Sequence, residues 1–319
     1  MKNGRRILAI ERLTKSFPTG FWRKPVRVLS DLTCEVYENE IVGFLGPNGA
    51  GKTTTIKIMN RLTFPDAGRA TLFGEDVQGG AELRRRIGFM PEQPYFYEYL
   101  TALEFLRLCG QLCGMSRGET DARSAELLSR VGLEDARGKS IRKFSKGMMQ
   151  RLGLAQALLH DPELVILDEP MSGLDPMGRM EVRGLIRDLK AAGKTVFFSS
   201  HIISDVEALC DRVIMLDKGC KVAEGRVEEL IGAEILFVEL VLSPVPSPGR
   251  LTAAGIPPGA GQVQGELFLL RAPGYPEANR WMAELMKDGI TVLSCVPAKK
   301  RLEDIFFERV GGNGTRSEG

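Results

Sequence analysis

Residues 41–55, reading IVGFLGPNGAGKTTT, constrain this chain more than any other stretch, because an apolar pentapeptide runs straight into a glycine-rich loop closed by Lys-Thr-Thr. Gly46, four intervening residues, then Gly51, Lys52 and Thr53 satisfy the phosphate-loop (P-loop) pattern. The flanks read as the context that pattern requires, a strand over 41–45 and a helix over 53–62. Glycines at 46, 49 and 51 permit a turn whose N–H groups converge on an anion, and the start of the following helix adds its partial positive charge. Lys52 is expected to neutralise the β and γ oxygens of a nucleoside triphosphate and Thr53 to ligate Mg²⁺, with Pro47, Asn48, Ala50 and Thr54 completing the cradle. A glycine turn before an ordinary helix is the bland alternative. The bare pattern arises by chance in roughly one protein in a hundred of this length, and its flanks lower that further.

With 319 residues, 43% of them hydrophobic, the chain has material for about two domains with cores of their own. No uninterrupted apolar run approaches the roughly 18 residues of a membrane span, and 7–10 is too short for a signal-peptide core, so a cytoplasmic protein is expected. The 43 basic and 41 acidic residues leave a formal charge of +2, which provides no general field for nucleic acid. Arg84-Arg85-Arg86 and Lys299-Lys300-Arg301 read as solvated faces. Six scattered cysteines show no metal-ligand pairs; Cys109 and Cys113, four apart, fit one face of a core helix.

Upstream of the loop, 7–17 and 26–37 read as strands of a hairpin beside the nucleotide strand, connected around Phe21, Trp22 and Pro25. Downstream, 65–68 is a turn, and 69–73 and 86–90 are short strands, the second ending at Pro91-Glu92-Gln93. From 95 to about 160 the pattern is helical. Thr101 and Glu104 form a capping box, Leu103, Leu106, Cys109 and Leu112 keep helical spacing, and further helices cover 116–131 and 145–160. After this insertion, strand 164–167, helix 176–191, strand 195–199, helix 204–209 and strand 213–216 restore the β/α alternation of a mostly parallel sheet. The fold class is therefore α/β, with a nucleotide domain over 1–232. A proline- and glycine-rich stretch, 243–261, separates strands 234–242 and 266–270 of a small C-terminal α/β domain over 233–310. Helix 276–286, strand 291–296 and helix 302–310 complete it, and the tail 311–319 is expected to be disordered. This second domain carries no catalytic grouping and reads as a structural or docking module.

The apolar strand 164–167 ends in Asp168-Glu169, where the first carboxylate can hold Mg²⁺ and the second can polarise an attacking water. Together with Pro91-Glu92-Gln93, Phe144-Ser145-Lys146-Gly147-Met148-Met149-Gln150-Arg151, Ser172-Gly173-Leu174-Asp175 and Ser199-Ser200-His201, in this order, these elements resemble the ATP-binding cassette (ABC) ATPases over roughly residues 5–230. The resemblance implies a P-loop NTPase cassette, in which an antiparallel N-terminal β part and a helical insertion accompany the parallel sheet. It implies a head-to-tail homodimer, with ATP held between the P-loop of one copy and Ser145 and Gly147 of the other. It further implies that Gln93, alongside Thr53 and Asp168, senses Mg²⁺ and faces a membrane partner. Asp175 falls on the loop that crosses the dimer, Glu169 becomes the base, and His201 the switch histidine on the γ-phosphate. The residue types suit these roles, since an amide touches metal-bound water without competing for the metal, and an imidazole at a strand end can donate to a phosphate oxygen.

Two departures stand out. The family's signature is LSGGQ-like, and here Lys146 replaces the first glycine of the pair; Ser145 and Gly147 still supply a hydroxyl and a close N–H at a helix start. A competent site is expected, with Lys146 pointing outward or adding positive charge. Where the family stacks an aromatic on adenine, Phe17 holds the matching place, with Trp22 a competitor. Ser-Lys-Gly-Met and Leu302-Glu303-Asp304-Ile305-Phe306-Phe307 resemble the branch that powers exporters through separate membrane subunits. The reading is thus an ATP-hydrolysing subunit, peripheral on the inner face of the cell membrane, that drives export through transmembrane permease subunits and binds no nucleic acid. Its alternative is a soluble ABC ATPase acting on ribosomes or nucleic acid. Such members usually carry two cassettes or a long coiled coil, and this chain shows one P-loop and no heptad run.

Overall fold

The computed structural model describes residues 4–18, 24–232 and 235–313; Phe21, Trp22 and the tail residues 314–319 lie outside the described residues. The chain forms two compact units, one built from the residues up to Val227 and one from Glu228–Glu308.

The first unit begins with β1 (Arg6–Phe17), β2 (Val26–Tyr37), β3 (Ile41–Leu45), α1 (Lys52–Met59), β4 (Ala67–Leu72), β5 (Glu75–Asp76), α2 (Ala81–Arg85) and β6 (Ile87–Met90). The helical insertion contributes α3 (Ala102–Leu112), α4 (Arg117–Arg130) and α5 (Lys146–Leu158). Then come β7 (Leu164–Leu167), α6 (Pro176–Ala191), β8 (Thr195–Ser200), α7 (Ile203–Leu209), β9 (Arg212–Asp217) and β10 (Cys220–Arg226). Strands β3, β7 and β8 are buried at every residue, as apolar strands covered on both faces of a parallel sheet must be. They lie in a six-stranded sheet of order β10-β9-β3-β8-β7-β6, parallel except for its edge strand β10.

The expected hairpin of β1 and β2 forms, but it is not a sheet neighbour of β3. It joins β4 and β5 in a separate antiparallel sheet of order β2-β1-β4-β5, because both edges of β3 are already taken by β8 and β9. The two sheets share one core, where Leu8, Leu32 and Val36 of the hairpin join Val42, Phe44, Phe197 and Ile214. Each fully buried side chain of this size contributes about 1.5–3 kcal/mol.

In the insertion, the capping box at Thr101 and Glu104 is present, with both reciprocal bonds made. The buried face of α3, however, is Ala102, Phe105, Leu106 and Gly110, while Leu112 is 79% exposed. Two contacts rotate the stripe away from the leucine row: Phe105 meets Phe96 edge to face at 5.1 Å, and Gly110 lets the side chain of Thr120 on α4 approach the α3 backbone.

The second unit starts with most of α8 (Val227–Ile231) and includes β11 (Ile235–Ser243), α9 (Pro248–Ala253), β12 (Gly261–Gln264), β13 (Leu267–Ala272), α10 (Tyr275–Lys287) and β14 (Thr291–Lys299), ending within α11 (Leu302–Asn313). Its antiparallel sheet, β12-β13-β11-β14, alternates cleanly: Val238, Leu240 and Leu242 pack with Phe268, Leu270 and Ala272 against Ala278, Trp281 and Leu285 of α10. Among the described residues no helix is long and apolar enough to cross a membrane.

Candidate active site

Parallel pairing gathers the candidate residues. Leu45 pairs with Ser200, Leu167 with Phe198 and Met90 with Leu167, so β3, β8, β7 and β6 all end at one edge of the sheet. That edge is where an open parallel sheet receives ligands. The loop after β3, the Asp168-Glu169 pair after β7 and His201 after β8 therefore meet without any long connection.

Gly49 and Gly51 take φ values of 82° and 102°, in the left-handed region that only glycine adopts cheaply. At Gly51 a Cβ would also meet the Val28 carbonyl at 2.9 Å. Ala50 closes the loop, its N–H donating to the Pro47 carbonyl at 3.1 Å and its carbonyl accepting from Gly219 N at 3.1 Å. No side chain caps α1, so the N–H groups of its first turn remain for a ligand. A cavity of about 370 Å³ opens over this turn, lined by Asn48, Gly49, Gly51, Lys52, Thr53 and Thr54 and faced by Glu169 and His201.

Lys52 is 6% exposed; its ammonium donates to the carbonyls of Gly46 at 2.7 Å and Pro47 at 3.2 Å and lies 3.3 Å from Glu169 Oε1. The other oxygen of Glu169 is 2.9 Å from His201 Nδ1. Glu169 itself has φ +50°, a conformation that costs a non-glycine residue on the order of 1–3 kcal/mol. Its backbone is held there from both sides. Its N–H donates to Ser199 Oγ at 2.9 Å, and the buried Gln150 amide donates to the carbonyls of Glu169 at 3.4 Å and Pro170 at 3.0 Å. The Ser199 hydroxyl in turn donates to Asp168 Oδ1 at 2.6 Å. Burial pushes the Asp168 carboxyl above the usual range, opposed by hydrogen bonds from Ser199 and Thr53 and reinforced by the charge of Glu169.

The hydroxyl of Thr53 and the carboxylate of Asp168 thus share a hydrogen bond, and both are hard oxygen donors. Mg²⁺ suits that pair, because it takes one or two protein oxygens and completes its shell with water and substrate phosphate. Among the described residues no cluster of three or more His, Cys, Asp or Glu forms a self-contained metal cage.

Other expected residues lie elsewhere. Phe17 is 37% exposed with the Lys15 ammonium 5.2 Å from its ring centre, and it does not line the cavity. Gln93 is exposed just past β6, and the neighbouring Glu92 lines the cavity instead. Ser145 caps α5 by accepting from Met148 N at 3.2 Å, with Gly147 in the same turn, and Asp175 caps α6 by accepting from Gly178 N at 2.9 Å. None of these three lines the cavity of its own chain. Lys146 does not simply point outward: its stem folds back across Gly173, whose φ of +71° and bare Cα leave room for it. Gln150, Ser172 and Ser199 stood inside quoted motif strings without a role of their own, and Val28, which also lines the cavity, carried no motif signal.

Residues 29–172 match the family described as ABC transporter. The chain is 47% identical over 236 residues to an uncharacterized ABC transporter ATP-binding protein of Nostoc sp., covering 73% of this chain and 70% of that protein. It is 37% identical over 283 residues to the bacitracin transport ATP-binding protein BcrA of Bacillus licheniformis, covering 88% of this chain and 92% of that protein. A solved dimeric ATP-binding cassette in a post-hydrolysis state, bound to ADP and Pi, is similar at TM-score 0.64 and 27% identity, over 70% of this chain and 99% of that one.

Proposed function

The chain belongs to the ABC transporter family as an ATP-binding, ATP-hydrolysing subunit, and on that premise we propose that two copies close head to tail on ATP and drive separate transmembrane permease subunits in the export direction. One observation carries the dimer: Lys52, Thr53, Glu169 and His201 face a single cavity, whereas Ser145, Gly147 and Asp175 stay out of it on the same chain. A second copy is the simplest source of those groups, and the dimeric relative supports that arrangement.

Within each site the loop 46–54 and the first turn of α1 receive the phosphates, and Lys52 exchanges its contact with Glu169 for the β and γ oxygens. Freed of that partner, Glu169 is placed to take a proton from water, while His201 steadies the base and then the γ-phosphate. Thr53 and Asp168, with Gln93 through water, would hold Mg²⁺, which neutralises developing phosphate charge when bound. Across the interface, Ser145 and Gly147 at the start of α5 offer donors to the phosphates, and Asp175 contributes the crossing loop. Phe17 is assigned to stacking on adenine.

Export is supported by the Ser-Lys-Gly-Met variant and by the similarity to a bacitracin transport ATP-binding protein, which covers most of this chain. Residues 1–232 are assigned to the nucleotide domain and 233–310 to a structural or docking domain, and the whole is placed peripherally on the inner membrane face. Affinity purification of the chain from gently solubilised membranes tests this reading. Co-purification of a membrane protein supports it, and recovery with ribosomes or DNA in its place overturns it.

A further inference from the structure

Three ties join the N-terminal half of α5 to the segment that follows β7. The Gln150 amide donates to the carbonyls of Glu169 and Pro170, and a Cβ on Gly147 would lie 3.5 Å from Leu174 Cδ2, so that leucine packs on the first turn of the helix. The third tie is Lys146. A Cβ on Gly173 would lie 2.7 Å from Lys146 Cε and 3.2 Å from Cδ, so the side chain rests directly on the glycine backbone. Lys146 is exposed, and among the described residues its ammonium has no hydrogen-bond or ion-pair partner. Packing of the methylene stem is what holds it there, as a long cationic side chain covers a surface while its charge stays in water.

The segment under the lysine has a task at each end. Glu169 and Ser172 line the chain's own cavity, while Asp175 accepts from Gly178 N at 2.9 Å and Leu174 O accepts from Arg179 Nε at 3.3 Å, which fixes the far end to α6. Within 172–175 only Gly173 takes a positive φ, at +71°. Glycine is the residue with the most backbone freedom, so this is where the segment is loosest. Lys146 lies across that point.

We propose that Lys146 is a positioning residue for ATP hydrolysis: its stem, laid over Gly173, holds Ser172–Asp175 in place against the first turn of α5. A chain's own cavity wall and the groups it offers to its partner, Ser145, Gly147 and Asp175, then move as one piece. The proposal rests on the two-copy reading and gives a role to the lysine that stands where the family's signature has glycine, since a glycine at 146 has no side chain with which to reach the segment. Lys146 acts here through its stem, by contact with Gly173, and its charge is not required.

Steady-state ATP turnover of the full-length chain, measured beside equilibrium binding of a fluorescent ATP analogue, tests the proposal. Lys146→Gly removes the stem and should lower kcat about threefold to tenfold, the range for one lost side-chain coupling, while analogue affinity and cooperative melting stay at parental values. Lys146→Met keeps the stem without the charge and should retain most of the parental kcat. Gly173→Ala displaces the flexible end of the lysine and should also lower kcat. In the Lys146→Gly background the same substitution should cost less, because nothing is left to displace. Parental kcat in Lys146→Gly, an equal loss in Lys146→Met, or losses at 146 and 173 that multiply independently would each overturn the proposal. Failure of the two-copy reading looks different: the parental specific activity would then be independent of protein concentration, whichever residue stands at 146.

Discussion

Lys52 Nζ lies 3.3 Å from Glu169 Oε1, and both side chains are nearly buried, at 6% and 9% exposure. The cation expected on the phosphates and the expected base are therefore each other's counter-ion, and a bound triphosphate competes with Glu169 for Lys52. Removing the lysine alone strands a buried carboxylate. Lys52→Met should accordingly destabilise the fold by about 3–5 kcal/mol as well as abolish ATP turnover. Lys52→Met combined with Glu169→Gln should melt above Lys52→Met alone, because the stranded charge is gone. A double variant that melts lower, by the two separate losses added, would show that the pair is not coupled.

Glu169→Gln keeps the shape of the side chain but cannot accept a proton from water. Hydrolysis should fall by about 10² to 10⁴ while ATP binding persists. Rapid-quench turnover beside equilibrium binding of a fluorescent ATP analogue measures both, and parental turnover in this variant would remove Glu169 from the base role.

The elements around this pair were legible in the sequence because each is local. The P-loop, the strand into Asp168-Glu169 and the cap at Ser145 are contiguous strings whose residues and structure coincide. What stayed hidden depends on pairing between distant segments. The hairpin's sheet could not be read from β1 and β2, since the strands that claim β3 lie more than a hundred residues downstream. Ser199 joins Asp168 to Glu169 only because β7 and β8 are neighbours, and Gln150 reaches Glu169 from the interior of a helix. β12, with sequence Gly-Gln-Val-Gln and three exposed residues of four, carries no apolar pattern at all.

Leu240 is fully buried at the centre of the second unit's core. Leu240→Ala should cost about 2–5 kcal/mol there and leave ATP affinity unchanged, since every residue that lines the cavity precedes Glu228. Differential scanning calorimetry should show one transition moving and the other not. A matching loss of nucleotide affinity would mean that the second unit helps to build the site.

His160, two residues past the end of α5, donates from Nε2 to the Ile87 carbonyl at 3.0 Å, and its Nδ1 is buried with no partner among the described residues. Burial lowers its pKa below the usual 6.5, so the folded state resists a proton that the unfolded chain accepts. The stability this provides is complete above about pH 6.5 and is lost as pH falls from there toward the folded-state value. His160→Gln should flatten the pH dependence of the melting temperature across that window. An unchanged slope would show that His160 does not contribute to it.

The account stands or falls on the site being shared between two copies, because Ser145, Gly147 and Asp175 are not among the residues that line their own chain's cavity. The most direct measurement is ATPase activity per mole of chain across a dilution series, with light scattering on the same samples. Specific activity should climb with concentration in step with the fraction of dimer, since a monomer holds only half of each site. Constant specific activity in samples that remain monomeric with ATP bound would contradict the two-copy mechanism.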